Sequence, residues 1–302
     1  MTNSTNFEVI IIGGSYSGLS AAMALGRSLR SVLIIDGGSP CNRQTPHAHN
    51  FLTQDGEKPD VIASKAKAQV LNYKTVKFLN DFAVSGKKTG KGFAITTQSG
   101  EIFHSEKLIF ATGLKDTMPA IPGFAACWGI SVVHCPYCHG YELQSKKTAI
   151  YANGAKAFHL ASLVNNLTDN ITILTSGKAD FTEEQIEKLS RHNIKIVETP
   201  VAAIAHKDGY MKNVVLEDGN EMNFDGMYGA VPFTQHCNIH ADLGCEITEN
   251  GYIKIDTFQK TSVANVFACG DNSSMMRSLA NAVYTGNIAG VMVNMELTNE
   301  HF

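Results

Sequence analysis

The sequence predicts an α/β protein made of two Rossmann-like, three-layer nucleotide-binding domains, the second inserted in the first. Three observations predict it. Val9-Ile10-Ile11-Ile12 is a β-branched run that stops at Gly13-Gly14 and feeds a helical pattern, and Val32-Leu33-Ile34-Ile35 repeats the run and ends at Asp36. Continuous apolar runs of this kind suit strands buried on both faces, so the three pieces read as a βαβ unit. A second strand, turn, helix and strand begin at Thr148. Near the C-terminus, Asn265-Val266-Phe267-Ala268-Cys269 is one more buried strand, closed by Gly270-Asp271. Its late position implies that the first domain is interrupted. The expected boundaries are residues 1–115 plus 237–302 for the outer domain and 116–236 for the insert.

In chain order, residues 17–29 carry small and apolar residues at helical spacing, and residues 41–56 are polar, rich in His and Asn, and read as a long loop. Residues 58–72 read as a helix. Strand-like pieces follow at 93–97 and 102–103, and Lys107-Leu108-Ile109-Phe110-Ala111-Thr112-Gly113 is a further buried strand before Pro119 and Pro122-Gly123 break the chain. In the insert, Thr148-Ala149-Ile150-Tyr151 and Ile171-Thr172-Ile173-Leu174 are strands around a helix at 157–167. A helix at 181–192 and strands near 194–197, 214–217 and 227–231 follow. A helix rich in Ala, Gly and Asn spans 278–295.

A chain of 302 residues has room for two domains of the usual ~100–200 residues, and 44% hydrophobic with 18% charged residues is ordinary globular composition. A net charge of −3 without a basic run offers nothing to nucleic acid or to an anionic membrane surface. Residues 1–8 lack the basic start and small-residue cleavage site of a signal peptide, and no apolar run reaches the ~18 residues of a membrane span. A cytoplasmic location is expected. The cysteines are Cys41, Cys127, Cys135, Cys138, Cys237, Cys245 and Cys269. An odd, mostly scattered set does not suit a secreted disulfide framework.

Two motifs carry the chemistry. Gly13-Gly14-Ser15-Tyr16-Ser17-Gly18 stands between strand and helix, where a tight turn lets backbone N–H groups meet a pyrophosphate. Ser15 replaces the middle glycine of GxGxxG. Asp36 is spaced to accept from a ribose hydroxyl. Ala111-Thr112-Gly113 and Gly270-Asp271 close two other buried strands, at the carboxyl ends where ligands of open α/β sheets sit. The alternative is a set of ordinary strand-end turns, and their joint order favours a nucleotide. The second motif is His134-Cys135-Pro136-Tyr137-Cys138-His139-Gly140. Two cysteines at this spacing can close a small disulfide ring, a helical turn starting there would lower the first thiol's pKa, and His139 can move a proton near neutral pH. Zinc is the rival reading. It wants a second pair of ligands at matching spacing, which the chain lacks, so no metal is expected.

The order Gly13–Gly18, Asp36, Ala111-Thr112-Gly113, Cys135/Cys138, Gly270-Asp271 resembles the low-molecular-weight thioredoxin reductase family over nearly the whole chain. The resemblance implies an FAD-dependent enzyme acting on a sulfur group, and a homodimer with FAD in the discontinuous domain. It implies that Cys138 faces the flavin while Cys135 attacks the substrate disulfide. It adds Asn42, His49, Asn50, Leu279 and Ala280 to the expected cofactor contacts. The Cys-x-x-Cys-His-Gly-Tyr-Glu run and the loop Pro46-His47-Ala48-His49-Asn50-Phe51-Leu52 are similar to a sub-branch that includes dithiol oxidases of gliotoxin- and holomycin-type pathways. In place of the Asp usual after the second cysteine stands His139. The implied partner is a thioredoxin-like protein or a small dithiol or disulfide. The alternative function is O2-dependent oxidation of a small dithiol, or reduction fed by a donor other than NADPH. The second turn explains that alternative. It reads Ala152-Asn153-Gly154-Ala155-Lys156-Ala157, where only Gly154 and Ala157 fit GxGxxA, and Thr175-Ser176-Gly177-Lys178 brings no arginine for a 2′-phosphate.

Overall fold

The structure is a computed structural model and describes residues 5–302; residues 1–4, half of the polar start considered above, lie outside the described residues. In chain order the elements are β1 (Asn6–Ile12), α1 (Tyr16–Arg27), β2 (Val32–Asp36), α2 (Pro59–Leu71), β3 (Val76–Asn80), β4 (Ala83–Thr89), β5 (Gly92–Thr97), β6 (Ile102–Phe110) and β7 (Leu114–Asp116). Next come α3 (Phe124–Cys127), β8 (Val132–Val133), α4 (Pro136–His139), β9 (Thr148–Tyr151), α5 (Gly154–Val164), β10 (Ile171–Leu174), α6 (Glu183–Arg191) and β11 (Lys195–Val197). Then follow β12 (Val201–Lys207), β13 (Tyr210–Leu216), β14 (Glu221–Asn223), β15 (Gly226–Gly229), β16 (Phe233–Gln235), α7 (Ile239–Asp242), β17 (Val266–Ala268) and α8 (Leu279–His301).

The chain forms two compact units. One comprises Met1–Arg43, Phe51–Lys115 and Phe233–Phe302; the other comprises Gln44–Asn50 and Asp116–Pro232. Both are Rossmann-like. The first has a sheet in the order β3-β2-β1-β6-β5-β4, with β17 also on β6. β1, β2, β3, β6 and β17 are parallel, and β4 and β5 extend the sheet antiparallel. One face packs Val9, Ile11, Ile34 and Ile109 against Leu19, Ala22 and Leu25 of α1 and Ala289, Val293 and Leu297 of α8. The other face packs Ile10, Ile12, Leu108 and Phe110 with Phe93, Ile95, Ile239 and Leu243.

α1 and α8 meet through glycine. A Cβ on Gly286 would lie 2.1 Å from the Ser17 carbonyl oxygen, and one on Gly290 2.5 Å from that of Ala21. Small residues let the helix backbones approach and hold the N-terminal turn of α1 in place. At the other end of the sheet Lys107 is fully buried. Its Nζ donates to Asn265 Oδ1 (2.7 Å), Glu296 Oε2 (3.0 Å) and Glu300 Oε1 (2.5 Å), tying the C-terminus of α8 to β6. Removing one partner of a buried ion pair costs several kcal/mol when the other is stranded. Here Glu296 keeps Lys260 and Glu300 is half exposed, so both carboxylates stay satisfied. We therefore expect Lys107→Met to lose only about 2 kcal/mol, measured by urea unfolding.

The second unit carries an all-parallel sheet, β11-β10-β9-β15-β8. Ile150, Ile173 and Tyr228 pack against Ala157, Leu160 and Val164 of α5 and Leu189 of α6. The antiparallel β12-β13-β14 ribbon and α3 cover the other face through Val201, Ile204, Val214, Phe124 and Trp128. α6 starts with a capping box, in which Thr182 Oγ1 accepts from Gln185 N–H and Gln185 reaches back to Thr182 N–H.

Three details differ from the sequence expectation. Residues 102–103 and the start of the buried run at 107–113 belong to one strand, Ile102–Phe110, joined across His104-Ser105-Glu106 because His104 and Ser105 pair with β5 on one side and β1 on the other. β3, β4, β7, β8, β12, β14 and β16 were not expected, nor were the short helices α3 and α7. β4 is mostly exposed and lacks alternation, so its place comes chiefly from backbone pairing with β5, with Ala83 and Gly86 against the core and Ile239 of α7. α8 runs on to His301, where His301 Nε2 meets Glu106 Oε2 at 2.8 Å.

Candidate active site

β8 ends one parallel strand beside β15 and delivers His134 and Cys135 at a carboxyl end of the sheet. Cys135 is then the N-cap of the single turn α4, with Pro136 at its first position, where proline's fixed φ suits the turn and its missing N–H costs nothing. Cys138 N–H and His139 N–H both donate to the Cys135 carbonyl (3.2 Å each), and Gly140 N–H donates to the Pro136 carbonyl (2.7 Å). This turn folds the cysteines onto each other, and their Sγ atoms are 2.7 Å apart. Gly140 is required. A Cβ there would sit 2.3 Å from the Pro136 oxygen and 2.5 Å from Leu167 Cδ1.

His139 is next to Cys138. Burial pushes its pKa down, a nearby Glu142 carboxylate pulls it up, and His49 pushes it down further. Burial is the largest of these, so His139 is neutral at pH 7 and ready to accept a proton. His49 Nε2 lies 3.4 Å from Glu142 Oε1. His49, expected among the cofactor contacts, thus has its side chain on this cluster; Asn50 beside it takes a left-handed φ of 57°. The sign of the Glu142 effect gives a test. In Glu142→Gln the acid limb of the pH–rate profile should move to lower pH, because His139 loses a neighbour that favours its protonated form. A limb that moves up or stays fixed would remove Glu142 from the proton pathway.

In the first unit the three strand-end motifs converge. Gly13 has φ 104°, and a Cβ there would be 2.2 Å from the Ala111 carbonyl oxygen. A Cβ on Gly18 would be 1.9 Å from the Gly13 oxygen, and one on Gly270 2.6 Å from Ser17 Oγ. Ser15 is the N-cap of α1 but its side chain caps nothing, so the first-turn N–H groups of α1 are left for a ligand. Asp36 Oδ1 accepts from Gly14 N–H (2.9 Å), so this acid also holds the turn. Asn42 Nδ2 reaches Tyr16 Oη (3.4 Å), whose hydroxyl donates to the Pro59 carbonyl (3.0 Å). Gly270 N–H donates to Thr285 Oγ1 (3.0 Å), and Asp271 lies 3.6 Å from Arg277 Nε. Leu279 and Ala280 open α8, where the Ser278 cap takes only the Asn281 N–H.

Two residues that sequence reasoning missed matter here. Asn272 is fully buried and donates through Nδ2 to the Phe110 carbonyl (2.9 Å) and Thr112 Oγ1 (3.1 Å), but its Oδ1 has no partner. Asn281 Nδ2 is also buried without one. An acceptor and a donor left orphaned beside glycine turns are what a bound dinucleotide with both kinds of group satisfies. The residues fit FAD. Gly-Asp-Asn after a buried strand was the available signal.

The second turn does not fit a pyridine nucleotide in the same way. Asn153, neutral by sequence, is the N-cap of α5. Its Oδ1 accepts from Gly154 N–H (2.8 Å) and Asp180 N–H (2.9 Å), and its Nδ2 donates to the Lys178 carbonyl (2.8 Å). Ala179 N–H donates to Glu198 Oε1 (2.6 Å). The helix N-terminus is thus capped from within the chain, and the Glu198 carboxylate takes an N–H of the loop that follows β10. Among the described residues no group of His, Cys, Asp or Glu side chains is arranged to hold a metal ion.

Comparison with known proteins gives the family of the chain. The profile of the family Pyridine nucleotide-disulphide oxidoreductase matches residues 7–286. Thioredoxin reductase tcpT of Claviceps purpurea is 31% identical over 98% of this chain and 96% of its own, and thioredoxin reductase sirT of Leptosphaeria maculans is 32% identical over 96% and 94%. The crystal structure of an oxidoreductase from Agrobacterium tumefaciens superposes with a TM-score of 0.91 at 33% identity, covering 97% of this chain and 99% of that one. The chain belongs to the pyridine nucleotide-disulphide oxidoreductases, in their thioredoxin reductase-like branch, and is an oxidoreductase acting on sulfur groups.

Proposed function

We propose that this protein passes two electrons between a bound FAD and a substrate disulfide by way of Cys135 and Cys138. The observation that carries the reading is the approach of the two Sγ atoms to 2.7 Å on a helical turn whose next residue is a neutral histidine. The first-turn amides of α1, Asp36, Asn42, Thr112, Asp271, Asn272, Asn281 and the start of α8 would hold the FAD, which when bound supplies the two-electron couple for the cysteine pair. The Cys135 thiolate attacks a disulfide R–S–S–R′, forming Cys135–S–S–R and releasing R′S⁻. Cys138 thiolate then attacks the Cys135 sulfur, closing the intramolecular disulfide and releasing RS⁻. His139 takes the Cys138 proton and gives it to a leaving thiolate.

Tyr137 between the cysteines and Tyr141 just after them, 70% and 74% exposed, offer apolar surface to a thioredoxin-like protein or a small disulfide. The resemblance supports a homodimer. The odd, scattered cysteine set supports the cytoplasm, and no helix is long and apolar enough to cross a membrane among the described residues. The Asn153 cap favours a donor other than NADPH. An anaerobic titration of the holoprotein checks both points. Dithiothreitol should bleach the flavin band while a tenfold excess of NADPH leaves it unchanged. Stoichiometric bleaching by NADPH would mean that the cap opens, and failure of the dithiol to bleach would remove the cysteine–flavin couple.

A further inference from the structure

Among the described residues Tyr228 is the largest fully buried side chain. It lies on β15, where strand register pairs it with Val133 of β8, two residues before Cys135, and with Ile150 of β9. Its ring packs in the apolar cluster formed by Val133, Leu143 and the α5 residues. The hydroxyl has no hydrogen-bond partner. A buried phenol without an acceptor is destabilising relative to phenylalanine, because its desolvation is uncompensated. Phenylalanine fits the same space, so the hydroxyl is not explained by packing.

The register sets Tyr228 level with Val133, so Cys135, two residues on, leaves the strand on the same face. Burial raises the Tyr228 pKa, and the Cys135 and Glu142 charges raise it further. The phenol is therefore protonated throughout the working pH range and is a donor. Glu142 is well exposed and paired with His49, so water and the imidazole already satisfy it. Cys135 is part-buried and caps the turn that follows β8, the strand paired with β15. The titratable groups along this turn are His134, Tyr137, Cys138 and His139, followed by Glu142 with its partner His49, and the Cys135 charge reaches Tyr228 on the paired strand.

We infer that the Tyr228 hydroxyl is a positioned donor for the Cys135 thiolate, unsatisfied while Cys138 lies against Cys135 and engaged once the pair opens with charge on Cys135. The inference rests on Cys135 being the attacking thiol. A hydrogen bond to the charged form holds a thiol ionised to lower pH, and a buried O–H donor directed at sulfur does so with no reorganisation of water. The phenol raises the fraction of Cys135 that is nucleophilic at neutral pH and leaves Cys138 as the resolving thiol.

The test uses the reduced holoprotein and Tyr228→Phe, alkylated with iodoacetamide from pH 5 to 10 and mapped by mass spectrometry so that Cys135 and Cys138 are counted separately. Cys135 should react first in both proteins. Its pH midpoint should rise by about one unit in Tyr228→Phe, a roughly tenfold slower reaction below the midpoint, with little change in the high-pH plateau. The thermal midpoint should be equal or higher, since an orphaned hydroxyl is removed; a merely structural role predicts a lower one and no shift in the alkylation profile. Equal midpoints with Cys135 reacting first would overturn the Tyr228 inference alone. Preferential alkylation of Cys138 would instead overturn the assignment of Cys135 on which it rests.

Discussion

Cys138→Ser, mixed with an oxidised substrate, should accumulate a one-to-one mixed disulfide on Cys135, while Cys135→Ser should form none. The reason is the order of the two exchanges. The first needs only the Cys135 thiolate and the substrate; the second needs the Cys138 sulfur, which the turn α4 holds 2.7 Å away. Serine is close to cysteine in size and leaves the turn and its hydrogen bonds to the Cys135 carbonyl intact, so a loss cannot be assigned to local unfolding. Turnover should fall by at least about a thousandfold in either variant, since nucleophile and resolving group act as a unit and removing one disables both. Non-reducing mass spectrometry identifies the adduct. An adduct on Cys138 in Cys135→Ser, and none in the other variant, would reverse the two roles.

Gly13→Ala should yield protein without flavin and with a thermal midpoint lower by roughly 5–10 °C. An L-residue at φ 104° is strained, and the new Cβ would meet the Ala111 carbonyl oxygen at 2.2 Å. Gly13 and Ala111 directly follow β1 and β6, which pair up to Ile12 and Phe110, and their own N–H groups are bonded to Ile35 and Ile12, so neither yields without disturbing the sheet. A cost of about 3 kcal/mol follows from the strain and the displacement together, and in a domain of this size that is several degrees. The flavin loss has a separate cause. Moving Gly13 carries with it Gly14, whose N–H is pinned to Asp36, and rotates the first-turn amides of α1 away from a pyrophosphate. Absorbance near 450 nm after gel filtration, with a melt of the same sample, checks both. Retained flavin at wild-type stoichiometry would show that the turn is not its anchor. Glycine at position 18 should behave alike, because a Cβ there meets the Gly13 oxygen at 1.9 Å.

What was legible in the sequence shares a physical property. The buried strands β1, β2, β9 and β10 are continuous β-branched runs, because a parallel strand covered on both faces tolerates nothing polar. Glycines at their ends mark turns that demand positive φ or close backbone approach. The cysteine pair was legible because i, i+3 spacing on one helical turn brings two side chains together without help from the rest of the chain. The elements that were not foreseen are those whose stability comes from a partner. β4 pairs along β5 with few buried side chains, and α8 extends to His301 because Lys107 and Glu106 hold its last turn.

The sequence by itself determined the fold class and the insertion of one nucleotide-binding unit in another, and it pointed to Cys135, Cys138 and His139 as the proposed reacting set, since each is written in local pattern. Only the tertiary structure decided how the second turn caps itself through Asn153, that His49 sits on Glu142 beside His139, and that Asn272, Asn281 and Tyr228 are buried with hydrogen-bonding atoms unspent. The physical reason is that a polar side chain's role depends on what it is buried against. Burial, unlike helical or strand periodicity, is set by residues far away in the chain.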